Sequence, residues 1–499
     1  MNRRIENTFD AGELSLLSGL REFIDGRERI FEPDRNNYAP RVNVAYAFNF
    51  FDRARLVAER NRPTVIRAGY GLFYDQILGA VVSQSRNVFP SFLTLNFAGL
   101  FADEETTLDF TNPVNTKFTQ NRPIAVPGQT VYQFNPAINL EEYIRRTLQR
   151  FPNAFGLTLP ARRLDTPLAH HYSAAVEQQI GDDFVLSLAY VGTLGRNLLR
   201  FTTPNNGPGV SVQPTGYCKN DACMDSLEPA LFGLVGSPQR AVDGLGAVTM
   251  FETSANSRYD ALQIQARGRF RQLAQYQAAY TWSHAIDEVS DVFDLAGAFA
   301  LPQRSCPFNQ KGCGFTGERG DANFDARHRL TYHFMVDLDQ FRDSPQWRPL
   351  LSGLQIAGTG QFQTGQPFTV NSLYDINFDG NPTDRLDTLD GLLISHDRRR
   401  PLRLIAGDAF SLLAPFGQDG RIGRNTFHAG GQVELDLAII KTFVFSPQRR
   451  LMLRVDFFNF INRANFGVPV RLLEAISFGE AVSALTPGRR VQLALKYIF

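Results

Sequence analysis

Residues 490–499 read RVQLALKYIF. Val491, Leu493, Leu495, Tyr497 and Phe499 alternate with Gln492, Ala494 and Lys496, and only Ile498 breaks the pattern. A two-residue period sends successive side chains to opposite faces of an extended chain. The stretch therefore predicts a β-strand with one apolar face and one polar face.

The same alternation recurs upstream. RVNVAYAFNFF (41–51) sets Val42, Val44, Tyr46, Phe48 and Phe50 against Asn43 and Asn49. VIRAGYGLFYD (65–75), ALQIQARGRF (261–270), HRLTYHFMVDL (328–338) and LMLRVDFFNF (451–460) repeat it. Weaker versions run through 172–180, 184–199, 275–282, 354–362 and 433–445, which makes eleven segments in all. A soluble antiparallel sandwich also alternates. Three features favour an all-β, antiparallel transmembrane barrel instead. Most segments approach or exceed the roughly 9–11 residues that a tilted strand needs to cross a bilayer. Aromatic residues recur near the segment ends, as interfacial girdles require. The polar faces repeatedly carry Arg, Gln and Asp, which suits a wet lumen.

The connections alternate in length. Gly181-Asp182-Asp183, RQLA after Phe270 and SPQRR after Phe445 are tight, and 52–62 and 339–349 are fairly short. The intervening links, about 76–166, 201–257, 286–325, 371–432 and 461–488, are long. Tight periplasmic turns and large extracellular loops are the pattern of an outer-membrane barrel. Residues 1–39 read as an N-terminal loop segment and 40–499 as the barrel portion.

Composition narrows the remaining choices. The chain has 499 residues, 42 of them Phe and 15 Tyr, with 51 basic and 50 acidic side chains for a net charge of +1. That balance gives no electrostatic case for a nucleic-acid partner. Arginines number 46 against 5 lysines. No run of about 18 apolar residues supports a helical span, and the first twenty residues have no signal-peptide core. Cys218 and Cys223, and Cys306 and Cys313, form two close pairs in long loops. Such pairs point to small disulfide loops in an oxidising space. The rival, a four-thiolate zinc site, usually has a C-x2-C spacing that neither pair shows.

Site chemistry is sparse. In DINFDGNPTDRLD (375–387), Asp375, Asn377 and Asp379 precede Gly380 as in a calcium loop, but Leu386 stands where the bidentate Glu belongs. Asp384 or Asp387 is the substitute ligand if Ca2+ binds, and a solvated acidic loop is the competing reading. His170 and His171 are adjacent and point to opposite faces. Asp325, Arg327 and Arg329, and Arg267 with Arg269, read as lumen charge ladders. No nucleophile elbow, phosphate loop, zinc-protease helix or dinucleotide fingerprint is present, so no enzyme activity and no other cofactor are expected.

The motifs NNYAPRVNVAYAF (36–48), VIRAGYGLFYDQ (65–76), LSLAYVGTLGRNL (186–198), NSRYDALQIQARGRF (256–270), ERGDANFDARHRL (318–330), DFFNFINRANFG (456–467) and PGRRVQLALKYIF (487–499) run in a familiar order. Together they resemble the barrel of TonB-dependent transporters, specifically the Oar-like group. The resemblance implies a barrel of about 22 strands, an N-terminal plug and a TonB-contacting segment. It identifies Leu495, Tyr497 and Phe499 with the signature read by the barrel assembly machinery. Eleven strands would be the C-terminal half of such a barrel. An odd count ending at the periplasm would also start the first strand outside the cell. The expected partners are outer-membrane lipid, the assembly machinery, an unidentified bulky solute, and TonB through an absent N-terminal part. The expected role is energy-coupled uptake; adhesion or export by a surface barrel is the alternative.

Overall fold

The computed structural model of the protein describes residues 31–32, 34–48, 63–77, 79, 81, 157–205, 248–291, 317–339 and 346–499, apart from 272, 373, 375, 378–380, 382, 406–408 and 416, together with the backbones of 122–126 and 129–133. Eleven strands form the path of one continuous thirteen-stranded sheet, with Leu157–Pro160 and Gly320–Asp321 pairing off that path. The eleven are β1 (Arg41–Phe48), β2 (Thr64–Tyr74), β3 (Leu168–Ile180), β4 (Phe184–Thr202), β5 (Val248–Phe270), β6 (Ala274–Asp287), β7 (His328–Asp337), β8 (Leu354–Gln363), β9 (Gln432–Val444), β10 (Arg450–Phe458) and β11 (Arg490–Ile498). Each pairs antiparallel with its sequence neighbour, so the path runs β1 to β11 without a crossover. These are the eleven segments that the alternation predicts.

Register aligns like with like. One row reads Tyr46, Ile66, Val176, Leu188, Ile264, Tyr280, Leu330 and Phe362 from β1 to β8. A second reads Ile356, Ile439, Val455 and Leu493 from β8 to β11. On the opposite face lie Glu177, Ser187, Gln265, Ala279, Thr331, Gln361 and Glu434. Because the period is two, a slip of one residue in any pair would move its apolar set to the polar side.

The apolar face is open. Val491, Leu493, Leu495 and Tyr497 are 55%, 76%, 68% and 51% exposed, and Phe499 more so. Val44, Ile66, Leu188, Tyr190, Trp282 and Leu453 are exposed as well. Eleven strands at about 4.8 Å spacing make a face roughly 50 Å wide. Soluble monomers rarely expose contiguous apolar patches beyond a few hundred Å². The largest fully buried apolar side chains are Phe251, Phe368, Leu164, Leu386, Leu402, Leu412 and Leu473, and none of them belongs to these aligned rows. A second packed layer is therefore absent from the described sheet, and hydrocarbon is the solvent that this face fits.

The ends of the sheet carry the interfacial chemistry. Tyr46, Tyr276, Phe443 and Tyr497 lie toward the short-turn end, and Tyr70, Tyr172 and Trp282 toward the long-loop end. Lys441 is on the apolar face, but its ammonium reaches the carbonyls of Leu350 and Ser352 at 2.9 and 2.6 Å, just before β8 begins. That is how a long basic side chain leaves an apolar band. Gly181, at φ 67, makes the tight β3–β4 turn. A Cβ on Gly192 would fall 2.1 Å from the Tyr172 ring, so the bare backbone is what lets that ring lie across β4.

Two features extend beyond the periodic reading. The β4–β5 ladder continues to Thr202 and Met250, into the stretch expected as a loop. Register shifts around Leu198, beside Asn197 at φ 53, break the period and hide the continuation from the sequence. A hairpin, Arg122–Val126 with Gln129–Gln133, forms its own two-stranded sheet and adds nothing to the main path. The sheet's outer edges are β1 and β11, which run in the same direction because the count is odd.

Candidate functional site

The polar face and the loops above it are the places with chemistry. On the polar face, Glu177 sits between Arg67 at 3.2 Å and Arg267 at 3.4 Å, so three strands share one charge ladder. Arg454 forks onto Asp456 one pleat away, and Arg329 donates to Gln361 at 3.3 Å. Gln277, His333, Thr359, Gln361, Glu434 and Asp436 line a cavity of about 390 Å³ on β6–β9. Such a surface is wetted and hydrogen-bonding along most of its width.

The long loops form a packed assembly. Phe368, Val370, Leu386, Leu392, Leu402, Leu412 and Phe427, all between β8 and β9, share a buried cluster with Leu473 from between β10 and β11. Short ladders shape it: Leu392–Ile394 pairs with Leu402–Leu404, and Pro367–Phe368 with Phe427–His428. The two loops are joined through backbone, with Asn371 donating to Arg471 O at 3.1 Å and accepting from Leu473 N at 3.0 Å. Ala481 N also donates to Arg399 O at 2.7 Å.

Buried charge ties this assembly to the sheet. Arg385 and Glu318 are paired with side chains only 6% and 5% exposed. Arg424 donates to Asp287, to Glu318 O and to Ser290. Asn425, at φ 54, donates to Asp321 O at 2.6 Å. The near-absence of lysine fits this use, because a planar guanidinium can satisfy several fixed acceptors at once.

The residues singled out from sequence divide as follows. Leu495 and Tyr497 share the exposed apolar face of β11, and Phe499 stacks on Tyr497 at 5.9 Å. Asn377 donates to Asp419 Oδ1 at 2.9 Å, and the Asp384 carboxylate accepts from Ile376 N at 2.8 Å, so both help hold the 371–387 loop. Asp375 and Asp379, and Cys218, Cys223, Cys306 and Cys313, lie outside the described residues. His170 and His171 do point apart, to Tyr70 and Thr193 respectively. Asp325 and Arg327 are not lumen ladder residues. Asp325 is buried and accepts from Ala285 N, while Arg327 bridges Asp321 and Asp325. They precede β7 rather than sit in it, so the strand period does not govern them.

Among the exposed loop pairs, Glu480 accepts from Arg400 at 2.7 Å and lies 3.2 Å from Arg399. Arg400, and then Arg399, hold its carboxyl below the ordinary glutamate value. A depressed folded value means stabilisation that is present above the unfolded value and lost as pH falls through the folded one. Amide exchange at Ala481, corrected for intrinsic rate, should therefore accelerate in that acid window. Glu480→Gln should remove the pH dependence, and its persistence in that variant would assign the effect elsewhere.

A two-faced sheet of eleven meandering strands with tight turns at one end and packed loops at the other is matched by a family model. The outer membrane beta barrel domain model covers residues 5–492. The chain belongs to that family. Its apolar face is the lipid face, its polar face the lumen, and its home the bacterial outer membrane. No curated protein matches the chain. Similar solved structures include the outer membrane transporter YddB from Escherichia coli, at 9% identity and a TM-score of 0.41, covering 87% of this chain and 38% of that one. The siderophore receptor PirA from Acinetobacter baumannii matches at 11% identity and a TM-score of 0.40, covering 93% and 41%. A mutant of the ferric enterobactin receptor PfeA from Pseudomonas aeruginosa matches at 10% and 0.41, covering 93% and 40%. The chain thus spans about two fifths of the length of these structures.

Proposed function

We propose that this chain forms the barrel wall and solute-capturing loops of an outer-membrane receptor that takes up a bulky solute, with TonB supplying the energy. The packed loop assembly carries the reading. A passive pore needs no buried cluster and ion-pair network above its strands, whereas a receptor needs a rigid, shaped surface to recognise a scarce solute. The polar face below supplies the hydrated wall along which a released solute would pass. The residues that carry the motif resemblance, 36–499, are those of the barrel. We assign no catalytic role to any residue.

The test compares parent cells with cells in which the gene is deleted, using radio-iron siderophores, cobalamin and fluorescent maltooligosaccharides as probes. The expected result is loss of uptake of at least one probe in the deletion strain, with the same uptake abolished in parent cells by a protonophore. Unchanged uptake across the panel, or uptake insensitive to the protonophore, would overturn energy-coupled transport. Loss of surface attachment instead would assign the loops to adhesion.

A further inference from the structure

Arg385, Arg399, Arg400, Arg421 and Arg424 each face a carboxylate. Arg398 and Arg463 do not; among the described residues neither has an acidic partner, and the protein groups they bond are carbonyls. Arg398 donates to Ala464 O at 3.3 Å and Arg463 to Gly431 O at 3.0 Å. Both line one cavity of about 400 Å³, together with His396, His428 and the apolar Phe427 and Leu402.

From this arrangement we infer that Arg398 and Arg463, framed by His396, bind a compact oxyanion: the phosphate or carboxylate group of a solute arriving at the long-loop end. Four observations support it. The two guanidiniums are brought together by the fold, since Arg398 bonds the carbonyl of the residue that follows Arg463. The Nε of Arg463 is buried and has no hydrogen-bond partner among the described residues, and a buried donor left unmade is costly. Burial, and then the like charge of Arg398, lower the Arg463 pKa, so this pair disfavours itself until an anion joins it. The one carboxylate in the lining, Asp397, accepts the backbone N–H of Arg399 at 2.9 Å.

Geometry also fixes the Arg398 stem. A Cβ placed on Gly430 would lie 3.2 Å from Arg398 Cβ, so the stem packs on bare backbone. The cavity is larger than one phosphate, and its Phe427 and Leu402 walls suit an apolar portion next to the anionic group. An arginine pair is the usual choice where a planar oxyanion must be gripped by parallel N–H groups.

The inference rests on the receptor reading only for how the solute arrives; binding is measured without transport, so either can fail alone. The full chain, folded in detergent, is titrated calorimetrically with inorganic phosphate and with citrate. Saturable binding is expected for at least one. Arg398→Gln and Arg463→Gln should each weaken it about tenfold, the scale of one charge-assisted hydrogen bond. Arg463→Lys should lose part of the affinity, and Arg421→Gln, outside the cavity, none. Sheet circular dichroism and a gel-mobility shift between unheated and heated protein confirm folding of each variant. A third arm uses phosphatidylcholine vesicles with and without lipid A. Absence of binding to both free anions, or binding unchanged in both glutamine variants, overturns the site. Retention by lipid A alone overturns its assignment to a soluble solute.

Discussion

Ile264→Arg is expected to cost about 2–4 kcal/mol of folding stability in a bilayer, the range for a basic residue placed on the lipid face near the midplane. Ile264 lies on the apolar face of β5, six residues before its tight-turn end, paired with Leu188 on one side and Tyr280 on the other. Every neighbour on its face is apolar, and no acidic partner is within the row. Gln265→Arg, one residue along, should change stability by less than about 1 kcal/mol. That side chain joins the polar row between Ser187 and Ala279 and meets water. Reversible urea unfolding of the protein in lipid vesicles measures both, with Trp282 and Trp347 as reporters; they are its two tryptophans. Trp282 pairs with Leu262 on the same face as Ile264, so its emission follows departure from lipid. Equal losses at the two positions would mean that both faces are buried, and would return the sheet to a soluble two-layer structure.

The fold was legible because a membrane barrel writes its solvent into alternate residues. All eleven strands follow from the period, and the eleven fall in the order and antiparallel pairing that tight turns at one end impose. What the period could not show is anything built where it stops. The upper β4–β5 ladder passes through register shifts around Leu198, so its continuation carries no regular signature. Asp325 and Arg327 resemble a strand ladder on spacing, yet they lie in the loop before β7 and serve a buried ion-pair network. The run HDRRRP (396–401) carries no motif at all. Only folding separates its members: Arg399 and Arg400 go to Glu480, and Arg398 to a cavity wall. The imbalance of 46 Arg over 5 Lys was the available signal, since buried pairing selects guanidinium over ammonium. It indicates the existence of such a network without placing it.

That network is where a single loop substitution should act most strongly. Arg385→Ala leaves Glu318 buried without its guanidinium, and breaking one side of a buried pair typically costs about 3–5 kcal/mol. The same guanidinium donates to Gly317 O at 3.0 Å, so that carbonyl also loses its partner. Arg385 sits between Asp384, whose carboxylate holds Ile376 N, and Leu386, which is wholly buried in the loop cluster. The loss is therefore expected to spread: amide exchange across 367–428 should accelerate by about two orders of magnitude or more, since about 1.4 kcal/mol corresponds to tenfold. The strands β1–β3, which have no part in this pairing, should keep their protection. Replacing both partners, Arg385→Met with Glu318→Met, removes the two charges together and should recover part of the loss; buried Arg200, which also feels Glu318, keeps Glu288 at 3.9 Å. If the single and double variants open the loops equally, charge compensation is not what holds the assembly to the sheet, and the packing of Leu386, Leu412 and Leu473 must carry it instead.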